Sequence, residues 1–203
     1  MTQVIGLLGY EKLAALASAL SFTPKRQRFI FVRHGETEGN RTRIFQVPHI
    51  PLNQAGEIQA AAAATTLAQT RIGRLVASPM ARAWRTATLI GGQHNMLPEA
   101  DGALAERYYV NLWDTPVPTG GLDWGEDPPG SETLAGFVSR VSHSLIRILS
   151  DDDVDGETVI VAHGGVLLVL CAATGVSLGD GLRRNAVPLQ FKRANGAWAF
   201  TPL

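Results

Sequence analysis

Hydrophobic residues recur along this chain in two alternating rhythms. Phe29, Ile30, Phe31 and Val32 form a short apolar run, and "GRLVASP" (73–79) and "TVIVAHGG" (158–165) carry two more. Runs this short, rich in β-branched and aromatic residues, predict central strands. Between them the period lengthens. "PLNQAGEIQAAAAATTLAQ" (51–69) predicts a helix from about Gln54, and "MARAWRTATLIG" (80–91) a second one. "SETLAGFVSRVSHSLIRIL" (131–149) opens with Ser131 as a predicted N-cap, after which Leu134, Phe137, Val138, Val141, Leu145, Ile146 and Leu149 recur at helical spacing. "GVLLVLCAATG" is apolar all round and reads as a buried helix. "PLQFKRANGAWAFTP" (188–202) is two strands joined at Asn195-Gly196, a strong hairpin signal.

Alternation of strands with helices predicts an α/β fold: a three-layer sandwich with a mostly parallel central sheet and helices on both faces. Near the N-terminus, Leu13, Leu16, Ala17 and Leu20 share one helical face. No Lys or Arg precedes the apolar run there, and Glu11-Lys12 interrupts it, so an amphipathic helix that packs or binds a partner is expected rather than a cleaved signal. The expected organisation is an N-terminal helical extension over 1–27 and a catalytic domain over 28–203. The Pro- and Gly-rich stretch 111–130 has no periodicity and reads as a long loop, of a length that in compact domains is either functional or disordered.

Composition narrows the partners. The 203 residues include 18 basic and 18 acidic ones, so the net charge is zero and no basic excess points to nucleic acid or an anionic membrane. No segment is long enough to span a bilayer, and a cytoplasmic protein is expected. The lone Cys171 excludes an internal disulfide and suits a small buried hydrophobe. The five histidines show no metal-ligand spacing, so neither a metal nor another cofactor is expected.

The candidate chemistry sits where strands end. In open α/β sheets ligands bind beyond the carboxyl ends of the strands. Arg33-His34, Ser78-Pro79 and His163-Gly164 all occupy such ends, and Arg82 follows closely on its helix. Two arginines and two histidines at one sheet edge make a local positive pocket in a neutral protein. The guanidinium fork matches phosphate oxygens, and glycine after each histidine permits close backbone approach.

These residues lie in "RHGETEGN", "SPMARAWRTA", "LAERYY" and "VAHGG". Together with "PLNQAGEIQA" and "PPGSETLAGFVSRV", they make the chain resemble the histidine phosphatase superfamily, which includes phosphoglycerate mutases and small phosphomonoesterases, over roughly 28–192. The resemblance implies that His34 is a nucleophile forming a phosphohistidine, with Arg33, Arg82 and His163 on the equatorial oxygens. It further implies an amide donor in Asn40, a backbone N–H from Gly164, and Glu106 as the proton donor. The implied partner is a small-molecule phosphomonoester, with a homo-oligomer left open. Glu99 and Asp101 are alternative acids, and the family's glycine after the aromatic is replaced here by Val110 after Tyr109. Glu36, Glu38, His49, His94 and His143 read as solvated or structural. Tyr108, Tyr109, Trp113 and Trp124 either pack a lid or stack on a substrate ring. Mutase-type phosphoryl transfer and a non-catalytic phosphate-binding module are the alternative functions. The mutase reading suffers because no Lys or Arg lies between Arg107 and Arg140 to hold a substrate carboxylate.

Overall fold

The computed structural model describes residues 7–151, 154–177 and 184–203. Helix α1 (Tyr10–Ala19) precedes strand β1 (Arg28–Arg33), then come a short α2 (Glu38–Thr42) and α3 (Gln54–Leu67). Strand β2 (Ile72–Ala77), α4 (Ala81–Gly92) and the two-residue β3 (Glu99–Ala100) follow. A long connection with 3₁₀ turns at Gly102–Leu104 and Val110–Leu112 reaches α5 (Leu134–Ile148). Strand β4 (Glu157–Ala162), α6 (Gly164–Thr174) and the hairpin β5 (Pro188–Ala194) and β6 (Ala197–Pro202) complete the order.

The sheet runs β3-β2-β4-β1-β5-β6. Its first four strands are parallel, and β5 and β6 add antiparallel pairs at one edge. Alternation within β1 explains both covering layers. Phe29 and Phe31 face a core built from α1, α5 and α6, while Ile30 and Val32 face α3 and α4. A strand buried on both sides has no polar face, hence the unbroken apolar run in its sequence. The Phe29 and Phe191 rings stack at 5.2 Å across the β1–β5 pair. Asn195 and Gly196 both have positive φ, 52° and 81°, the conformation of a type I′ hairpin turn.

Helix α1 packs through buried Leu13 and Ala17 onto α5 and α6, with Leu16 and Leu20 at the margin of the same core. Cys171 is buried in α6, and burial pushes its thiol up to about 12. Among the described residues no helix is long and apolar enough to cross a membrane.

One expectation about α5 needs correction. Its N-cap is Thr133, whose side chain accepts from Gly136 N at 3.1 Å, and Ser131 instead bridges to Tyr109. The start is shifted because Asp127 Oδ1 accepts from Leu134 N at 2.7 Å, so the long loop returns to cap its own exit helix. On the same helix Ile148 is buried, whereas Ile146 is only half-buried.

Candidate active site

Strands β1, β4 and β2 end side by side, with Arg33 level with Ala162 and Ala77 level with Val161. The ladder continues one step further: His34 N donates to Ala162 O at 2.9 Å and Ser78 N to Val161 O at 3.0 Å. His34, Ser78 and His163 therefore leave the sheet at the same edge. Helix α4 starts just beyond and turns Arg82 back, so that its Nε lies 3.3 Å from His34 Nε2. The His34 and His163 rings stand 5.1 Å apart.

Gly35, directly behind His34, is required by packing against α3. A Cβ there would lie 2.4 Å from Gly56 O, and one on Gly56 would lie 2.0 Å from Glu36 O. Gly35 N donates to Thr86 Oγ1 at 3.0 Å, so its amide braces the loop against α4.

His34 is 3% exposed, and its Nδ1 lies 2.7 Å from Gly35 O. A carbonyl only accepts, so this contact puts the ring proton on Nδ1 and leaves the Nε2 lone pair toward Arg82 and the cavity. His163 is fully buried, with Nε2 2.8 Å from Ser78 Oγ and Nδ1 without a hydrogen-bond partner. Ser78 Oγ already accepts from Met80 N at 3.3 Å. The tautomer in which Ser78 donates its hydroxyl proton to His163 Nε2 carries the ring proton on Nδ1, the form able to donate to a phosphate oxygen.

Burial, then Arg82, holds both imidazoles well below their ordinary value. Arg33 lowers both as well, and the two rings are neutral near pH 7. Arg82 is 3% exposed, and its guanidinium is lowered by burial to about 10, so it stays charged.

These shifts carry a stability consequence with a definite sign. A folded state that keeps His163 neutral loses stability as pH falls from about 6.5 through the lower folded value, because the unfolded chain takes the proton first. The slope approaches about 1.4 kcal/mol per pH unit for each such histidine. The melting temperature of the phosphate-free protein is expected to drop between pH 7 and pH 5, and less steeply in His163→Gln. Equal slopes in the two proteins would remove His163 as the titrating group.

Glu106 reaches the same edge from the long connection. Its Oε2 accepts from Gly165 N at 2.9 Å and its Oε1 from Arg107 N at 3.0 Å. Close packing makes Gly165 obligatory, since a Cβ would lie 2.2 Å from Glu106 Oε1 and 2.7 Å from the Trp124 ring. Gly164 has ordinary room for a Cβ, 3.6 Å from Arg33 Nε. Glu99 faces outward and pairs with Arg74 at 2.8 Å. Asp101 is taken by Ser144 and Arg147, and neither borders the cavity. Asn40 does border it. Its Oδ1 accepts from Thr37 N at 3.2 Å in the cap of α2, which leaves its NH2 group as the half able to donate outward.

A cavity of about 170 Å³ opens over this floor of Arg33, His34, Asn40, Arg82 and Glu106. Its walls are Phe45, Tyr109, Trp113 and Trp124, so three loop aromatics face the site while Tyr108 lies under Arg140 outside it. Glu36 accepts from Asn53 and Glu38 pairs with Arg41, away from the floor. Sequence reasoning missed Gln46, which lines the cavity and accepts from Thr37 Oγ1 at 2.6 Å. It also missed Arg107, which is 2% exposed and borders the same cavity. The signal for Gln46 was a single polar residue inside "IFQVP", in a segment with no regular period to assign it a side.

Residues 29–191 match the histidine phosphatase superfamily, branch 1. Agropine synthesis reductase of Rhizobium rhizogenes is 31% identical over 84% of this chain, which spans only 40% of that protein. Glucosyl-3-phosphoglycerate phosphatase of Mycobacterium tuberculosis is 28% identical, with 73% of this chain and 75% of that one aligned. A mycobacterial glucosyl-3-phosphoglycerate phosphatase solved with VO3 superposes with a TM-score of 0.69 at 24% identity, over 87% of this chain and 98% of that one, a likeness of fold. With a match running from the first strand to β5, and with the motif residues gathered at one sheet edge, the chain belongs to the histidine phosphatase superfamily.

Proposed function

We propose that the protein is a phosphomonoester hydrolase working through a phosphohistidine on His34, with Glu106 as proton donor. The observation that carries this is the His34 ring: buried, neutral, protonated on Nδ1 by its contact with Gly35 O, and presenting Nε2 to the cavity floor. Arg82 Nε–H points at that lone pair. An arriving phosphate oxygen takes over the Arg82 donor and frees Nε2 to attack.

Attack forms the N–P bond as the bond to the ester oxygen breaks. Arg33, Arg82 and His163 Nδ1–H stabilise the charge on the equatorial oxygens, and Glu106 gives its proton to the departing oxygen. Water then attacks phosphorus, returning a proton to Glu106 and releasing orthophosphate with His34 restored. The relatives named as phosphatases support this reading. Against mutase-type transfer, Arg107 is not available for a substrate carboxylate. Its guanidinium donates to Glu132 O, Trp124 O and Glu126 O, and pairs with Asp127.

Hydrolysis of p-nitrophenyl phosphate tests the activity directly. Full rate is expected in excess EDTA, because arginines and histidines supply the charge that Mg²⁺ supplies in kinases. Among the described residues no group of three His, Cys, Asp or Glu is arranged to hold a metal. Loss of activity in EDTA, with recovery on Mg²⁺ or Zn²⁺, would overturn this account.

A further inference from the structure

The superfamily match begins at residue 29, yet residues ahead of it hold a wall of the site. Trp124 N donates to Leu8 O at 2.9 Å, and Lys12 Nζ to Gly125 O at 2.6 Å. Gly9, with φ of +71°, sits so close that a Cβ would lie 2.0 Å from Gly125 N and 2.2 Å from Asp123 Oδ1. Buried Leu13 and Ala17 anchor this segment to the core. From the opposite side Arg107 Nη1 donates to Trp124 O at 3.2 Å. The loop carrying Trp124 is thus held from both sides, and the indole, 9% exposed, stands against Phe137.

Trp124 lines two chambers. One is the cavity over His34. The other, about 190 Å³, is walled by Leu7, Leu167, Leu168, Trp124 and the two glycines that open α6. Arg33 and Glu106 border both. An in-line displacement puts the leaving oxygen opposite His34, beside the acid that protonates it. Because Glu106 borders the second chamber as well as the first, a group carried by that oxygen can enter it. Apart from Arg33 and Glu106, the described side chains around that chamber are apolar. An uncharged hydrocarbon gains there by leaving water, whereas a carboxylate or polyol loses hydration without a fitted partner.

Resting on the phosphomonoesterase reading above, we propose that Leu7–Lys12 is a specificity element. It fixes Trp124, contributes Leu7 to a leaving-group chamber, and directs the enzyme toward phosphomonoesters of apolar alcohols.

The test is the series ethyl, butyl and hexyl phosphate, whose leaving alcohols have nearly the same acidity, with 3-phosphoglycerate and p-nitrophenyl phosphate alongside. In the full chain kcat/KM should climb along the series by about fourfold per buried methylene until the chamber fills. Hexyl phosphate should exceed 3-phosphoglycerate at least tenfold. Gly9→Ala, which drives a methyl into the Trp124 loop, should flatten the climb while leaving the ethyl phosphate rate within about threefold. Lys12→Ala, a milder loss of one hydrogen bond, should flatten it in part and serves if Gly9→Ala does not fold. A flat series, or preference for 3-phosphoglycerate with p-nitrophenyl phosphate still hydrolysed, overturns the inference and leaves the phosphatase reading standing. An undiminished climb in both variants overturns the role of the N-terminal segment. No hydrolysis of any ester, p-nitrophenyl phosphate included, removes the phosphatase reading itself.

Discussion

His34→Ala is expected to abolish hydrolysis of aryl and alkyl phosphates alike, by about 10⁴-fold or more, the scale set by removing a covalent nucleophile. Among the described residues no neighbouring group is placed to substitute. His163 is fully buried and its Nε2 is engaged with Ser78 Oγ. The Cys171 thiol is buried in α6, and burial raises it to about 12, so it is protonated as well as remote. Arginines cannot serve as nucleophiles while charged, and Arg82 remains so. The measurement is the initial rate with p-nitrophenyl phosphate, paired with an alkaline quench that preserves a phosphohistidine. Wild-type protein should retain phosphorus on the chain and His34→Ala none. A melting temperature near that of wild type shows the loss to be chemical, since removing a buried imidazole leaves the flanking strands intact. Retention of a tenth of the wild-type rate would place the nucleophile elsewhere.

Why was the pocket floor readable from sequence while its walls were not? His34 and His163 directly follow strands whose periods are clear, Arg82 lies in the first turn of the helix after β2, and the register of a parallel sheet brings those strand ends together. The direction of each strand was enough to place them. The walls come from the segment around Phe45 and from the connection between Glu106 and α5, where position is set by individual hydrogen bonds. Trp124 lies at the site because Leu8, Lys12 and Arg107 hold its loop, and none of those three contacts has a period. Arg107 carries the same lesson. An arginine beside a motif glutamate suggests an anion ligand, yet this one spends its donors on three backbone carbonyls of the lid. The cap of α5 moved from Ser131 to Thr133 for a related reason. Both residues can cap, and the choice was made by Asp127 returning from the loop to meet Leu134 N.

Glu106→Gln separates proton transfer from phosphoryl capture. The amide keeps the size and polarity of the carboxyl but can neither donate to the leaving oxygen nor accept from water. Alkyl esters, whose alkoxides leave poorly, are expected to lose about 10²–10⁴-fold in kcat/KM. An aryl phosphate expels a stable phenolate, so its first step should be nearly spared. The variant should then release a burst of p-nitrophenol equal to the enzyme present and stall as phosphohistidine, because the second step lacks its base. The structure adds a cost that the chemistry alone would not show. Both carboxylate oxygens of Glu106 accept backbone N–H groups, from Gly165 and from Arg107. Glutamine offers one acceptor oxygen, so its NH2 must face one of those donors, and an unsatisfied buried donor costs about 1–3 kcal/mol. A lower melting temperature should therefore accompany the kinetic change, and saturating phosphate or vanadate should recover part of it by binding the folded state. Leaving-group dependence is what distinguishes the two effects, since a merely misfolded pocket slows every ester equally. An equal, small loss on alkyl and aryl esters, with no burst and no trapped phosphoenzyme, would show that Glu106 is not the acid. Glu99, turned outward to Arg74, and Asp101, bound to Ser144, are not placed to take over the role.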